Sequence, residues 1–213
     1  MLKKSMCLLT MLLFSLPAYS QSKLNVWVFG GRTAKFGTIS SGLLNDWGDG
    51  PTVGIFVSRS LIGPISVRGE FSYSSLLYDG PHLLMNSPAD AQLFWNASAT
   101  PTNVYKLAIG IDESKEFGPI TPFVGLQAGV YYIHMGRITL SFAPDQHNSL
   151  PVGLPSSYNY YGTGVASADP FLGLKIGSDF HILDNVFVNV RAGYDATFNR
   201  TAGFVPVSVA IGI

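Results

Sequence analysis

Apolar residues recur at every second position through most of this chain, the periodicity of a β-strand with two chemically different faces. The C-terminal segment is the cleanest case: Val205, Val207, Val209, Ile211 and Ile213 share one face, and Pro206, Ser208, Ala210 and Gly212 the other. Val186, Val188, Val190, Ala192 and Tyr194 alternate with Asn189, Arg191, Gly193 and Asp195. Leu172, Leu174, Ile176 and Phe180 alternate with Gly173, Lys175, Gly177 and Asp179. Five earlier segments follow the same rule. They start at Leu24, Val53, Ile65, Tyr105 and Val124, with the face Ile65, Val67, Phe71 and Tyr73 set against Arg68 and Glu70. Eight strands are predicted. The first is the least regular, because Trp27 and Phe29 fall on its polar parity.

The links between strands alternate in length. Ser60 to Pro64, Ser114 to Pro119 and Leu183 to Asn185 read as tight turns, with Gly-Pro twice and Asp-Asn once as turn formers. Segments 33–50, 77–102 and 143–157 are much longer, and the last link, 199–203, is short. Short turns at one end and long loops at the other suit an up-and-down antiparallel meander closed into a membrane barrel. Ile138, Leu140 and Phe142 keep the parity of the strand before them, and Tyr158 and Tyr160 that of the strand after. A hairpin projecting beyond the barrel is therefore predicted there.

Alternation alone does not say which face is buried. A lipocalin-like carrier hides its apolar face inside, whereas a membrane barrel turns it outward. Only 12% of the residues are charged while 47% are hydrophobic, with 23 glycines, against about 25% charged in ordinary soluble domains. The polar parity is mostly Gly, Ser and Ala, too sparsely charged for a soluble surface and suited to the crowded lumen of an eight-stranded barrel. Tyr73, Tyr105, Tyr132 and Tyr194 stand toward the long-loop ends of the apolar parity, as an aromatic girdle would. The outward-apolar orientation is the prediction.

The N-terminus reads as an export signal. Lys3 and Lys4 precede an apolar run from Cys7 to Leu16, and Pro17-Ala18-Tyr19-Ser20 offers a cleavage site before Gln21. The run is too short to span a bilayer. The expected division is residues 1–20 as signal peptide and 21–213 as barrel. Without Lys3 and Lys4, acids outnumber bases by two and no basic tract remains, so nucleic-acid binding has no electrostatic basis. Cys7 is the single cysteine, which leaves the expected mature chain without thiol chemistry.

Candidate chemistry is sparse. The inward parity collects Arg68, Glu70, Lys106, Asp112, Lys175, Asp179, Arg191 and Asp195, four cations and four anions. Burial demands that such charges pair, so a neutral salt-bridge network plugging the lumen is expected. Heights counted from the tight turns suggest Glu70 with Lys106, Arg191 with Asp179, and Lys175 with Asp195. A gated pathway along these charges is the alternative. In segment 77–102, Ser87-Pro88 can start a short helix over 88–95. Leu83, Leu84, Met85, Leu93, Phe94 and Trp95 make that segment apolar enough to dock a partner or to fold as a lid. His82, His134, His147 and His181 lie on separate segments without metal-ligand spacing, and Met135-Gly136-Arg137 after His134 supplies no nucleophile. No catalytic, cofactor-binding or metal site is expected.

On these hairpin repeats (FGPITPFVGLQAGVYY at 117–132, NVFVNVRAGYD at 185–195) and the final FVPVSVAIGI, residues 21–213 resemble the small outer-membrane β-barrels, the OmpA- and OmpX-like proteins and the OMP-barrel proteins of Bacteroidota. The resemblance implies insertion into the bacterial outer membrane by the barrel-assembly machinery, contact with outer-membrane lipid, and a structural, adhesive or secretion-accessory role exercised through extracellular loops. A membrane-embedded lipid-modifying enzyme is the second reading and a soluble lipocalin-like carrier the third. Such chains often end on an aromatic residue, where this one has Ile213, and a peptidoglycan-binding domain is not expected.

Overall fold

β-Branched and aromatic residues at alternate positions favour extended chain, and hairpin turns then bring neighbouring strands together. The computed structural model describes residues 24–36, 47–78, 95–142, 157–159, 166–183, 186–198 and 203–212. Its strands, in chain order, are β1 (Leu24–Phe36), β2 (Gly50–Ile62), β3 (Ile65–Leu76), β4 (Trp95–Ala99), β5 (Thr102–Ser114), β6 (Ile120–His134), β7 (Ile138–Phe142), β8 (Ser157–Asn159), β9 (Ala166–Leu183), β10 (Val186–Thr197) and β11 (Gly203–Gly212). Eight of them form a closed antiparallel barrel in the order β1-β11-β10-β9-β6-β5-β3-β2. Because β1 pairs with both β2 and β11, this sheet has no free edge. Two of the tight turns depend on glycine at positive φ, Gly63 at 57° and Gly118 at 61°, where a side chain would be strained.

The apolar parity faces out. Leu126 is 65% exposed and Ile176 61%, and Val28, Ile55, Leu174, Val209 and Ile211 are likewise exposed. The charged parity faces the axis, where Arg68, Glu70, Lys106, Lys175 and Arg191 are at most 6% exposed. This excludes the lipocalin-like carrier, whose apolar face would line the interior.

The interior is not filled mainly by small residues, as the polar parity suggested. Trp27, Phe29, Phe56, Phe123, Tyr131, Phe171 and Phe204 also point inward and are buried. Several of these rings lie directly across the ladder from a glycine: Trp27 from Gly212, Phe29 from Gly54, Phe123 from Gly177 and Phe171 from Gly129. Each glycine leaves the width its neighbour's ring occupies, so large and small alternate around a lumen only wide enough for side chains. A Cβ at Gly129 would stand 2.1 Å from the Leu107 carbonyl oxygen and 2.9 Å from the Phe171 ring. Gly129→Val is accordingly expected to cost about 1–3 kcal/mol, read as a lower urea midpoint in a folding titration. An unchanged midpoint would contradict this packing.

At the long-link end the expected hairpin pairs outside the barrel as β7 with β8, but the strand leading into it is broken. Met135, Gly136 and Arg137 interrupt the strand, and the Gly136 and Arg137 amides donate to Thr102 Oγ1 and Thr100 Oγ1, both at 2.9 Å. The chain turns there, so that Ile138 is buried where uninterrupted alternation would put it outside. β7 leaves the barrel and forms a separate three-stranded sheet in the order β4-β7-β8. Trp95, expected to close a helix, instead opens β4 opposite Phe142. The remainder of that expected helix and Tyr160 lie outside the described residues. Below this sheet Trp47, Leu76, Val104, Ile133, Met135 and Ile138 make a buried apolar layer across the barrel end.

Candidate functional site

Chemistry-bearing side chains converge in the lumen. Glu70 on β3 is the hub. Its Oε1 lies 3.2 Å from Lys106 Nζ, and its Oε2 lies 3.1 Å from Lys175 Nζ and 3.0 Å from Arg191 Nη1. One carboxylate thus meets cations from β5, β9 and β10. Lys106 also lies 2.8 Å from Asp195 Oδ2. Asp195 accepts hydrogen bonds from Gln127 Nε2 and the Tyr131 hydroxyl. Arg191 Nε donates to Ser208 Oγ at 2.8 Å, and its guanidinium lies over Phe29 and Phe56 at 4.1 and 4.4 Å. Charges taken out of water need this density of partners, because isolated burial costs several kcal/mol per ion. A cavity of only about 10 Å³ adjoins the cluster, space for about one water molecule. On its long-link side Thr33, Thr52 and Ser74 join their hydroxyls at 2.6, 2.7 and 3.3 Å.

Two of the pairings suggested by height do not form. Lys175 and Arg191 both extend toward Glu70 instead of reaching Asp195 and Asp179. Long cationic side chains from opposite walls meet near the axis, while the short carboxylate of Asp195 stays near the wall with Gln127 and Tyr131. Arg68 and Asp112 form a separate pair at 2.6 Å, with the Arg68 guanidinium over Phe56 and Phe123 at 4.5 and 4.9 Å. Asp179 accepts a hydrogen bond from Asn189 Nδ2. Gln127, Tyr131 and Asn189, all buried on inward parity, join the network without being predicted for it, as does the buried inward Asp169 for the lumen. Their parity is visible in the sequence, but the carboxylate that Gln127, Tyr131 or Asn189 meets is not.

The lumen widens toward the tight turns into a vestibule of about 260 Å³. Its walls include Trp27, Phe187, Asp179, His181, Glu116 and the Arg68–Asp112 pair. On the outer surface Tyr73, Tyr105 and Tyr132 stand side by side on β3, β5 and β6, with ring centres 5.3 and 6.4 Å apart. Tyr194 lies apart from them on β10, against Gly203. Leu83, Leu84, Met85, Leu93 and Phe94 lie outside the described residues, as do His82 and His147. His134 is exposed at the end of β6. Among the described residues no group of His, Cys, Asp or Glu is arranged to hold a metal ion, and no helix is long and apolar enough to cross a membrane.

No family model and no curated protein matches the chain. Among solved structures it is similar to Neisserial surface protein A, with a TM-score of 0.55 at 10% identity over 91% of this chain and 99% of that one. Ail, the attachment invasion locus protein of Yersinia pestis, aligns at TM-score 0.45 and 10% identity over 90% and 97%. The N-terminal β-barrel domain of Pseudomonas aeruginosa OprF aligns at 0.45 and 8% over 91% and 100%. The likeness to the neisserial protein is one of fold and covers nearly the whole of both chains. The chain therefore has the fold of the small eight-stranded outer-membrane β-barrels.

Proposed function

We propose that this chain is an integral protein of the bacterial outer membrane, exported through cleavage before Gln21, with a plugged interior and no enzymatic activity. It acts structurally or through its long outward links, by adhesion, partner binding or assistance to secretion. One observation carries the reading. The same barrel that presents an apolar belt outward gathers Lys106, Lys175 and Arg191 onto Glu70 beside a cavity of about 10 Å³. A lumen filled at this level has no through-path, which leaves the loops and the lipid-facing wall as the broad surfaces available for work.

The test is expression in a Gram-negative host. The protein should start at Gln21, remain in membranes after alkaline carbonate extraction, and change mobility on gels when boiled. Planar bilayers containing it should show no steady conductance, and protease applied to whole cells should cut within 77–94 or 143–156. Release by carbonate would overturn the membrane assignment. Steady conductance would overturn the plug. An altered lipid A acyl pattern on expression would replace the non-enzymatic reading with a lipid-modifying one.

A further inference from the structure

Charge is not matched locally along the lumen. The central cluster holds Lys106, Lys175 and Arg191 against Glu70 and Asp195, one cation in excess. The tight-turn end holds Arg68 against Asp112 and Asp179, one anion in excess. Asp179 is that excess charge. Its hydrogen-bond partner is the neutral Asn189 amide, and the nearby Arg68 and His181 are engaged elsewhere, Arg68 with Asp112 at 2.6 Å and the His181 ring with Phe187. The register sets it beside Thr121 on β6 and Asn189 on β10, and the buried Thr121 hydroxyl has no hydrogen-bond partner among the described residues.

Beside this carboxylate stands an aromatic wall. Phe187 lies one inward position from Asn189, directly across from His181, whose ring it meets edge-on at 4.6 Å. Trp27 lies against Phe187 at 6.0 Å. The Phe56 and Phe123 faces already carry Arg68, which leaves Phe187 and the Trp27 face not stacked on Phe56 as the aromatic surfaces of the vestibule that carry no cation. Glu116 adds a second carboxylate at the rim, while Lys115 on the same turn lies over Phe117 at 5.3 Å. A partly buried carboxylate next to aromatic faces is the chemistry that holds an organic cation, through a charge-assisted hydrogen bond and cation–π attraction. The space of about 260 Å³ admits an ion of a few heavy atoms with some water.

We propose that this vestibule binds a small organic monocation, an alkylammonium or guanidinium group, with Asp179 as its counter-charge and Phe187 and Trp27 as its aromatic wall. This site is independent of how the outward loops act, and barrel formation is scored separately by gel mobility. The test titrates n-butylammonium into ¹⁵N-labelled barrel refolded in an uncharged detergent, following the Trp27 indole and Asn189 side-chain amide signals. Saturable shifts are expected at millimolar concentration, with 1-butanol and butyrate producing none. Asp179→Asn, equal in size, should weaken binding at least tenfold. If that variant does not fold, Phe187→Leu keeps the carboxylate and should weaken binding severalfold. Absence of saturable shifts, equal shifts with 1-butanol, or unchanged affinity in the folded variant tested would overturn the proposal.

Discussion

Glu70→Ala should lower the urea midpoint of the refolded barrel by roughly 1–3 M, reflecting a loss of about 3–5 kcal/mol. The size of the effect follows from what the substitution leaves behind. Lys106 retains Asp195 as a partner at 2.8 Å, but the ion pairs of Lys175 and Arg191 given by the structure are both to Glu70. Removing that carboxylate strands two buried cations between walls too close to admit much water. Breaking a buried pair costs more than forming it contributes, because the surviving charge cannot be hydrated. A second variant separates this cause from simple loss of volume. Glu70→Ala combined with Lys175→Met removes one stranded cation and should regain part of the loss, a non-additivity that a double-mutant cycle measures. Additive losses, or an unchanged midpoint for Glu70→Ala, would show that Glu70 does not neutralise these buried cations.

The second large effect tests the outer wall. Leu126 lies mid-strand on β6, 65% exposed, with Ile111 on β5 and Leu174 on β9 as its ladder neighbours. If this wall faces hydrocarbon, Leu126→Arg should destabilise the barrel in lipid bilayers by about 2–4 kcal/mol, the cost of a cation near the midplane of a membrane barrel. The same change in Glu113, at the tight-turn end of β5, should cost about 0–1 kcal/mol, since residues near the interface reach water. Reversible folding into short-chain lipid vesicles, titrated with urea, measures both. Equal and negligible effects at the two positions would place this surface in water.

How much of this was legible in advance differs between wall and lumen. The parity of each strand was readable because side-chain direction in extended chain is a local property with a period of two. Trp27 and Phe29 looked like irregularities of the first strand, yet they are inward residues in their proper places. Their room comes from Gly212 and Gly54 on neighbouring strands, and one of these is far away in sequence. Ile138 misled in the opposite way. Its parity counted as outward until Met135, Gly136 and Arg137, the last two tied by hydrogen bonds to Thr102 and Thr100, turned the chain and buried it. β4 was hidden for a related reason: five residues inside a long link carry little periodic signal, and their pairing partner on β7 lies about forty positions away.

The amino-acid sequence by itself determined the eight barrel strands, the tight-turn positions, the apolar outward face and most of the charges that share the lumen. Each of these depends on residues within one strand or one turn. The tertiary structure alone decided which charges touch. Glu70 and Lys106 occupy adjacent strands, so counting from the tight turns puts them together. Lys175 and Arg191 reach Glu70 only because closure of the barrel brings β9 and β10 opposite β3. Contact across a closed lumen depends on strand stagger and side-chain reach at the same time, and neither quantity is recorded in the spacing of residues along the chain.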